Sequence, residues 1–158
     1  MKSNTKKLTI TALMMAIICL STMFLGFPIL YGYVNLGDAA IFLAAFILGP
    51  KYGLIAAALG ASIADYSLGY TQYMLTTFVV KGIMAFLAGR VRDKSNTTKV
   101  VSCIIGGLIM VAGYYITEVI IYGSKISPLA NIPWNTLQFI IGMVIALILI
   151  KPLKNLIQ

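Results

Sequence analysis

The chain has 158 residues, 60% of them hydrophobic and only 10% charged, with a formal charge of +8. A soluble domain carries about 25% charged residues, so this composition and a mean hydropathy of +0.96 exclude a soluble globular protein. The basic residues crowd into short loops and the termini, which reads as a membrane topology signal and not as a nucleic-acid-binding face.

Lys2, Lys6 and Lys7 open the chain and an uncharged stretch follows from Leu8 to Gly37. That stretch is too long for the apolar core of a signal peptide and ends without an A-x-A site, so Leu8–Leu25 is taken as a first membrane span. Ala12 and Ala16 stand four apart in it among larger apolar residues. Such small-residue spacing lets helices approach closely, either within the fold or against a partner helix.

The second predicted span, Asn35–Gly49, organises the chain. Between Asp38 and Pro50 there are eleven residues, a helix of roughly 16 Å at about 1.5 Å per residue, far short of a bilayer core of about 30 Å. To cross, it must recruit Asn35–Asp38 and draw a carboxylate and an amide toward the membrane. Lipid does not tolerate such groups unless protein or a water-filled cavity surrounds them. The stretch therefore reads as the rim of a binding cavity.

Tyr52–Gly69 is the third span, with small residues at Gly53, Ala57 and Ala61 and at Ala56, Gly60 and Ala64, a spacing for packing inside a bundle. Met74–Gly89, Val100–Tyr122 and Pro133–Ile150 follow, the last opened by a proline suited to a first helical turn. The expectation is an all-α membrane protein, one domain over residues 1–158 with six transmembrane helices. If the N-terminus is cytoplasmic, the inner loops and ends hold Lys2, Lys6, Lys7, Lys51, Arg90, Arg92, Lys94, Lys99, Lys151 and Lys154. The outer loops then hold only Lys125. Ten against one places both termini in the cytoplasm.

Four ionisable groups fall in or near spans: Asp38, Asp65, Lys81 and Glu118. With this topology all four sit in the outer half of the membrane. Tyr73, Thr77 and Lys81 recur every four residues and share a helix face. Tyr114 and Tyr115 precede Glu118 by four and three residues, and Asn135 and Gln138 lie just after Trp134. Lys81 either pairs with Asp65 as a structural ion pair or meets a ligand. Glu118, Asn135 and Gln138 have no obvious local partner and need hydrogen bonds, which favours a ligand. Trp134 and Tyr122 also suit interfacial anchors. Tyr rings, amides, a carboxylate and an ammonium on apolar walls suit a small, flat, polar heterocycle. The inner half has no run of ionisable groups, which argues against a proton relay. No histidine is present and the two cysteines, Cys19 and Cys103, stand apart, so no metal site is expected. Nor does any Walker loop, HExxH or Gly-x-Ser-x-Gly motif point to an enzyme.

NLGDAAIFLAAFILGPKYGLIAAALGASIAD, TTFVVKGIMAFLAG and IPWNTLQFIIGMVIALIL, with six spans in so short a chain, resemble the substrate-binding S component of an energy-coupling factor (ECF) vitamin transporter. The likeness runs from Asn35 to Ile150, and Ala12–Ala16 fits the AxxxA pattern that such proteins press against their coupling subunit. It implies an S-component-like bundle in a bacterial cell membrane, partnered by the transmembrane subunit EcfT and two ATPases. The ATPases use the ATP, and this chain needs no cofactor. The S component captures a vitamin from outside and topples in the membrane to release it inside. The family's sites carry over to Asn35, Lys81, Tyr115, Glu118, Asn135 and Gln138. The segments look most like the group handling hydroxymethylpyrimidine or pyridoxine, and riboflavin binders share parts of the pattern. Two other classes stand beside this one: a stand-alone ion- or proton-coupled small-molecule transporter, and a membrane scaffold in which Lys81 is structural only.

Overall fold

The computed structural model describes residues 4–157, with side chains through Leu153. Lys2 and the Lys154 side chain, both counted above as cytoplasmic charges, lie outside the described residues. Helix α1 (Asn4–Phe24) is followed by a hairpin of β1 (Gly26–Pro28) and β2 (Tyr33–Asn35), then α2 (Gly37–Leu48) and α3 (Pro50–Ser67). A 3₁₀ turn at Thr71–Tyr73 leads into α4 (Met74–Arg90). After α5 (Asn96–Tyr122), a second 3₁₀ turn at Ser127–Asn131 leads into α6 (Ile132–Ile157).

Among the described residues, four helical segments are long and apolar enough to cross a membrane: Asn4–Phe24, Thr71–Arg90, Asn96–Tyr122 and Ser127–Leu153. The other two helices differ for separate reasons. α3 is rich in Gly and Ala and carries Lys51 and Asp65. α2 has only 12 residues, about 18 Å of helix. It is enclosed by the bundle: every residue is buried except Ile47, which is half-buried, and α1, α3, α4 and α6 pack around it. A helix that is apolar on all sides belongs in a core, and GDAAIFLAAFIL has no polar face beyond its first turn.

This changes the reading of Asn35. The second predicted span begins there, but Asn35 closes β2 and the helix starts at Gly37. β1 pairs antiparallel with β2, with Gly26 opposite Asn35 and Pro28 opposite Tyr33. A helix-only expectation has no place for this hairpin, because three-residue strands leave no alternation to read. The fifth helix instead starts earlier than its apolar run. α5 begins at Asn96 because the Ser95 hydroxyl caps it, accepting from the Thr98 N–H at 3.3 Å.

Between α2 and α3 the chain turns on one residue. Gly49 has φ 82°, a conformation that only glycine adopts at little cost, and Pro50 opens the next helix. The small residues of α3 are all buried, as the packing reading expects. A side chain at Gly60 would come within 2.7 Å of the Met15 carbonyl oxygen on α1. α1 itself buries only the stripe Thr11, Met14, Ile18 and Thr22. Ala12, Leu13, Ala16, Ile17, Leu20 and Phe24 face outward.

The elements alternate in direction, so the hairpin, the α3–α4 connection and the α5–α6 connection share one end of the bundle. At the other end lie the helix starts and ends bearing Lys6, Lys7, Lys51, Arg90, Arg92, Lys94, Lys99 and Lys151. Among the described residues only Lys125, in the α5–α6 connection, and Lys81, within α4, lie elsewhere.

Candidate functional site

At the hairpin end, the polar residues of five helices converge. Asp38 is in the first turn of α2, Thr77 and Lys81 are a turn apart on α4, and Asn135 and Gln138 stand near the start of α6. Asp65 and Glu118 come from the last turns of α3 and α5, and the hairpin adds Tyr31, Tyr33 and Asn35. They surround a narrow cavity whose enclosed space is about 30 Å³ and whose outline, its open mouth counted, is about 460 Å³.

Of the residues singled out from the sequence, Asn35, Tyr73, Thr77, Lys81, Tyr114, Glu118, Asn135 and Gln138 line this cavity. Tyr115 and Trp134 do not. The Tyr115 hydroxyl donates to the Lys125 carbonyl oxygen at 3.0 Å, and Trp134 is 45% exposed on the outside of α6. Both directions follow from helical rotation: Tyr115 is about 100° round from Tyr114, and Trp134 as far from Asn135.

The floor is an ion pair, though not the expected one. Lys81 Nζ pairs with Asp38 Oδ1, not with Asp65, and also donates to Met110 Sδ at 2.8 Å. Gln138 Nε2 donates to Asp38 Oδ2 at 2.9 Å, while Gln138 Oε1 accepts from the Asn35 N–H at 2.9 Å. The position of α2 explains the exchange. Because that helix is central, its first-turn carboxylate faces α4 and α6 together, and a carboxylate there also suits the helix dipole.

Asp65 instead faces the hairpin, where the Tyr33 hydroxyl donates to its Oδ1 at 2.6 Å. Burial first, and then the Asp65 charge, hold the Tyr33 phenol above its usual range, so it stays a donor. Along the wall, Thr77 and Tyr114 hydroxyls are 3.0 Å apart. Asn131 Nδ2 donates to Glu118 Oε1 at 2.9 Å and to the Tyr31 carbonyl oxygen at 2.6 Å. Over the top, tyrosines close together. The Tyr31 and Tyr122 ring centres are 4.4 Å apart, those of Tyr33 and Tyr70 are 4.8 Å apart, and the Tyr73 and Tyr122 hydroxyls approach to 3.2 Å.

Three buried polar atoms have no hydrogen-bond partner among the described residues: Asp65 Oδ2, Glu118 Oε2 and Asn131 Oδ1. Such orphans are rare in folded proteins and call for an explanation. Asp65 and Glu118 both line the cavity, so a solute there could satisfy them.

Sequence reasoning missed Thr22, Tyr31, Gly32, Tyr33, Ala61 and Asp65 as lining residues, and Asn131 as the partner of Glu118. Thr22 had a usable signal, since it ends the buried stripe of α1 at helical spacing from Ile18. The hairpin residues had none, because their position depends on a strand pairing that local pattern does not reveal.

Residues 2–155 match the family model described as "ECF-type riboflavin transporter, S component". The thiamine precursor transporter HmpT of Lactococcus lactis subsp. cremoris (strain MG1363) is 30% identical over 149 residues, covering 92% of this chain and 86% of that protein. An uncharacterized protein in gap 3'region of Pyrococcus woesei is 33% identical over 110 residues, covering 67% of this chain and 74% of that one. A solved structure, described as the S component of a bacterial ECF transporter, superposes with a TM-score of 0.80 at 22% identity over 99% of each chain. At that identity the likeness speaks for the fold.

Proposed function

Since the chain belongs to the family of ECF-type riboflavin transporter S components, we propose that it captures a small heterocyclic vitamin or vitamin precursor, hydroxymethylpyrimidine or pyridoxine. The observation that carries this reading is the cavity walled by polar side chains, two of them carboxylates with an unpartnered oxygen. The name of the Lactococcus relative, a thiamine precursor transporter, supports the choice of substrate.

In this reading all six helices lie within a bacterial cell membrane, both termini are cytoplasmic and the cavity opens outward. The eight described basic residues at the terminal end agree with the positive-inside rule. Asn35, Tyr73, Thr77, Tyr114, Glu118 and Asn135 contact the ligand, with Lys81 and Gln138 beneath it. Delivery inward occurs when the S component topples against EcfT, driven by ATP hydrolysis in two partner ATPases. Ala12 and Ala16, on the outward face of α1, meet EcfT there.

Calorimetric titration of the purified protein with hydroxymethylpyrimidine and with pyridoxine tests the site. Glu118→Gln is expected to weaken binding tenfold or more, which is about 1.4 kcal/mol. Equal affinity in the variant removes Glu118 from the site. The description of the family model favours riboflavin as a second reading, and the visible absorbance of a co-purified flavin would decide for it. Uptake by the chain alone in proteoliposomes, driven by a proton gradient, would instead replace the ATPase-coupled mechanism.

A further inference from the structure

We propose that the β1–β2 hairpin is a membrane-interface element: the face it turns away from the cavity is seated in lipid at the headgroup boundary, while its other face walls the cavity.

Strand alternation divides the hairpin into two faces. Tyr33 and Asn35 line the cavity. Val34 therefore lies on the opposite face, and so does Phe27, its partner in the strand pair. Val34 is buried, but Phe27 is 56% exposed, and beside it in the chain Phe24, Leu25 and Leu30 are 75%, 53% and 70% exposed. Single exposed apolar side chains are ordinary on a protein surface, whereas a run of large ones marks a contact. No charged residue stands anywhere from Leu8 to Gly37 to solvate this stretch.

Side-chain size decides what covers the patch. Helices in a membrane associate through small residues that let backbones approach. That description fits the outward face of α1 at Ala12 and Ala16, but not its continuation toward the hairpin, where Ile17, Leu20 and Phe24 are exposed. Bulky side chains on a short, uneven hairpin suit fluid acyl chains, which conform to any outline. The patch also continues the apolar surface of α1, a helix long enough to span a bilayer.

Backbone chemistry sets the depth, because hydrocarbon tolerates no unpaired backbone group. The Leu25 N–H donates to the Ser21 carbonyl oxygen at 3.1 Å, the Ile29 N–H to Gly32 at 3.1 Å and the Leu36 N–H to Leu25 at 3.0 Å. Pro28 has no N–H to satisfy. Yet β1 has no strand on its other side among the described residues, so that edge needs water within reach. The hairpin thus belongs at the boundary, its apolar side chains reaching about 5–10 Å inward. Tyr66, Tyr122 and Trp134, exposed at the same end of the bundle, are the residue types of an interfacial belt.

Trp134 is the single tryptophan, so fluorescence can test the placement. In a Trp134→Phe background, Phe27→Trp and Leu30→Trp put reporters on the patch, and Gln72→Trp puts one on the exposed α3–α4 connection. Each full-length variant is reconstituted in phosphatidylcholine–phosphatidylglycerol vesicles. Emission is read with iodide on both sides of the bilayer, then with lipid brominated near the headgroup or near the chain end. The patch reporters should lose most emission to bromine near the headgroup and less to deep bromine, and should resist the iodide that quenches Gln72→Trp. Leu30→Trp carries the reading where Phe27→Trp does not fold. Iodide quenching of the patch reporters as strong as that of Gln72→Trp overturns the proposal. Shielding that arises only when the coupling subunit is added also overturns it and assigns the patch to protein. Either result leaves ligand capture standing, since the patch faces away from the cavity.

Discussion

Lys81 and Asp38 are buried together, at 3% and 0% exposure, and each is the other's only full charge partner among the described residues. Removing one member of such a pair leaves an uncompensated charge in a low-dielectric interior, which costs about 3–5 kcal/mol. Lys81→Met should therefore lower the unfolding midpoint in detergent sharply. Lys81→Met combined with Asp38→Asn should recover much of the loss, since the asparagine keeps an oxygen for Gln138 and carries no charge. A double variant no more stable than the single one would show that the pair contributes through something other than charge. At this scale the sequence was partly legible. Four ionisable residues at one height could be read from spacing and topology, and so could the shared face of Tyr73, Thr77 and Lys81. Which carboxylate meets Lys81 could not, because that depends on which helix occupies the middle.

The centre is taken by α2, the shortest helix, and the rest of the bundle adjusts its backbone to it. Gly142 on α6 illustrates the closeness: a Cβ there would lie 2.7 Å from Asp38 Cβ and 2.9 Å from the Ala39 nitrogen. Gly142→Val must push α6 away from the first turn of α2, and with it Gln138, which joins Asp38 to the hairpin. Overpacking of this kind costs about 1–3 kcal/mol. Thermal unfolding should show that loss, and titration should show weaker ligand binding beyond it, because the cavity floor moves with α6. A stability loss with unchanged affinity would detach the floor from the site. The helices themselves were legible from apolar runs and Gly or Pro breaks, to within a few residues at most ends. The hairpin was not, since its strands are three residues long and it is held by distant residues, Gln138 of α6 and Asp65 of α3 among them.

For the molecule as a whole, α1 presents Ala12 and Ala16 outward between Leu8, Leu13, Ile17 and Leu20, which are also exposed. A shallow strip of this kind lets another helix come close. Ala12→Trp fills the strip without touching the cavity. The expected outcome is loss of ATP-dependent uptake in cells with ligand affinity unchanged in the purified protein. Retained co-purification with the coupling subunit would count against α1 as the meeting surface. The outward direction of this pair needed the structure, because spacing alone fits an internal contact as well.

Beneath the ion pair, the interior closes over with Phe42, Phe46, Met84 and Cys103, all fully buried. This packed layer separates the cavity floor from the pocket at the opposite end, lined by Pro50, Tyr52, Gly89 and Arg92. Under the capture reading proposed above, a solute held over the ion pair would reach that side only if helices moved apart or the whole bundle reoriented.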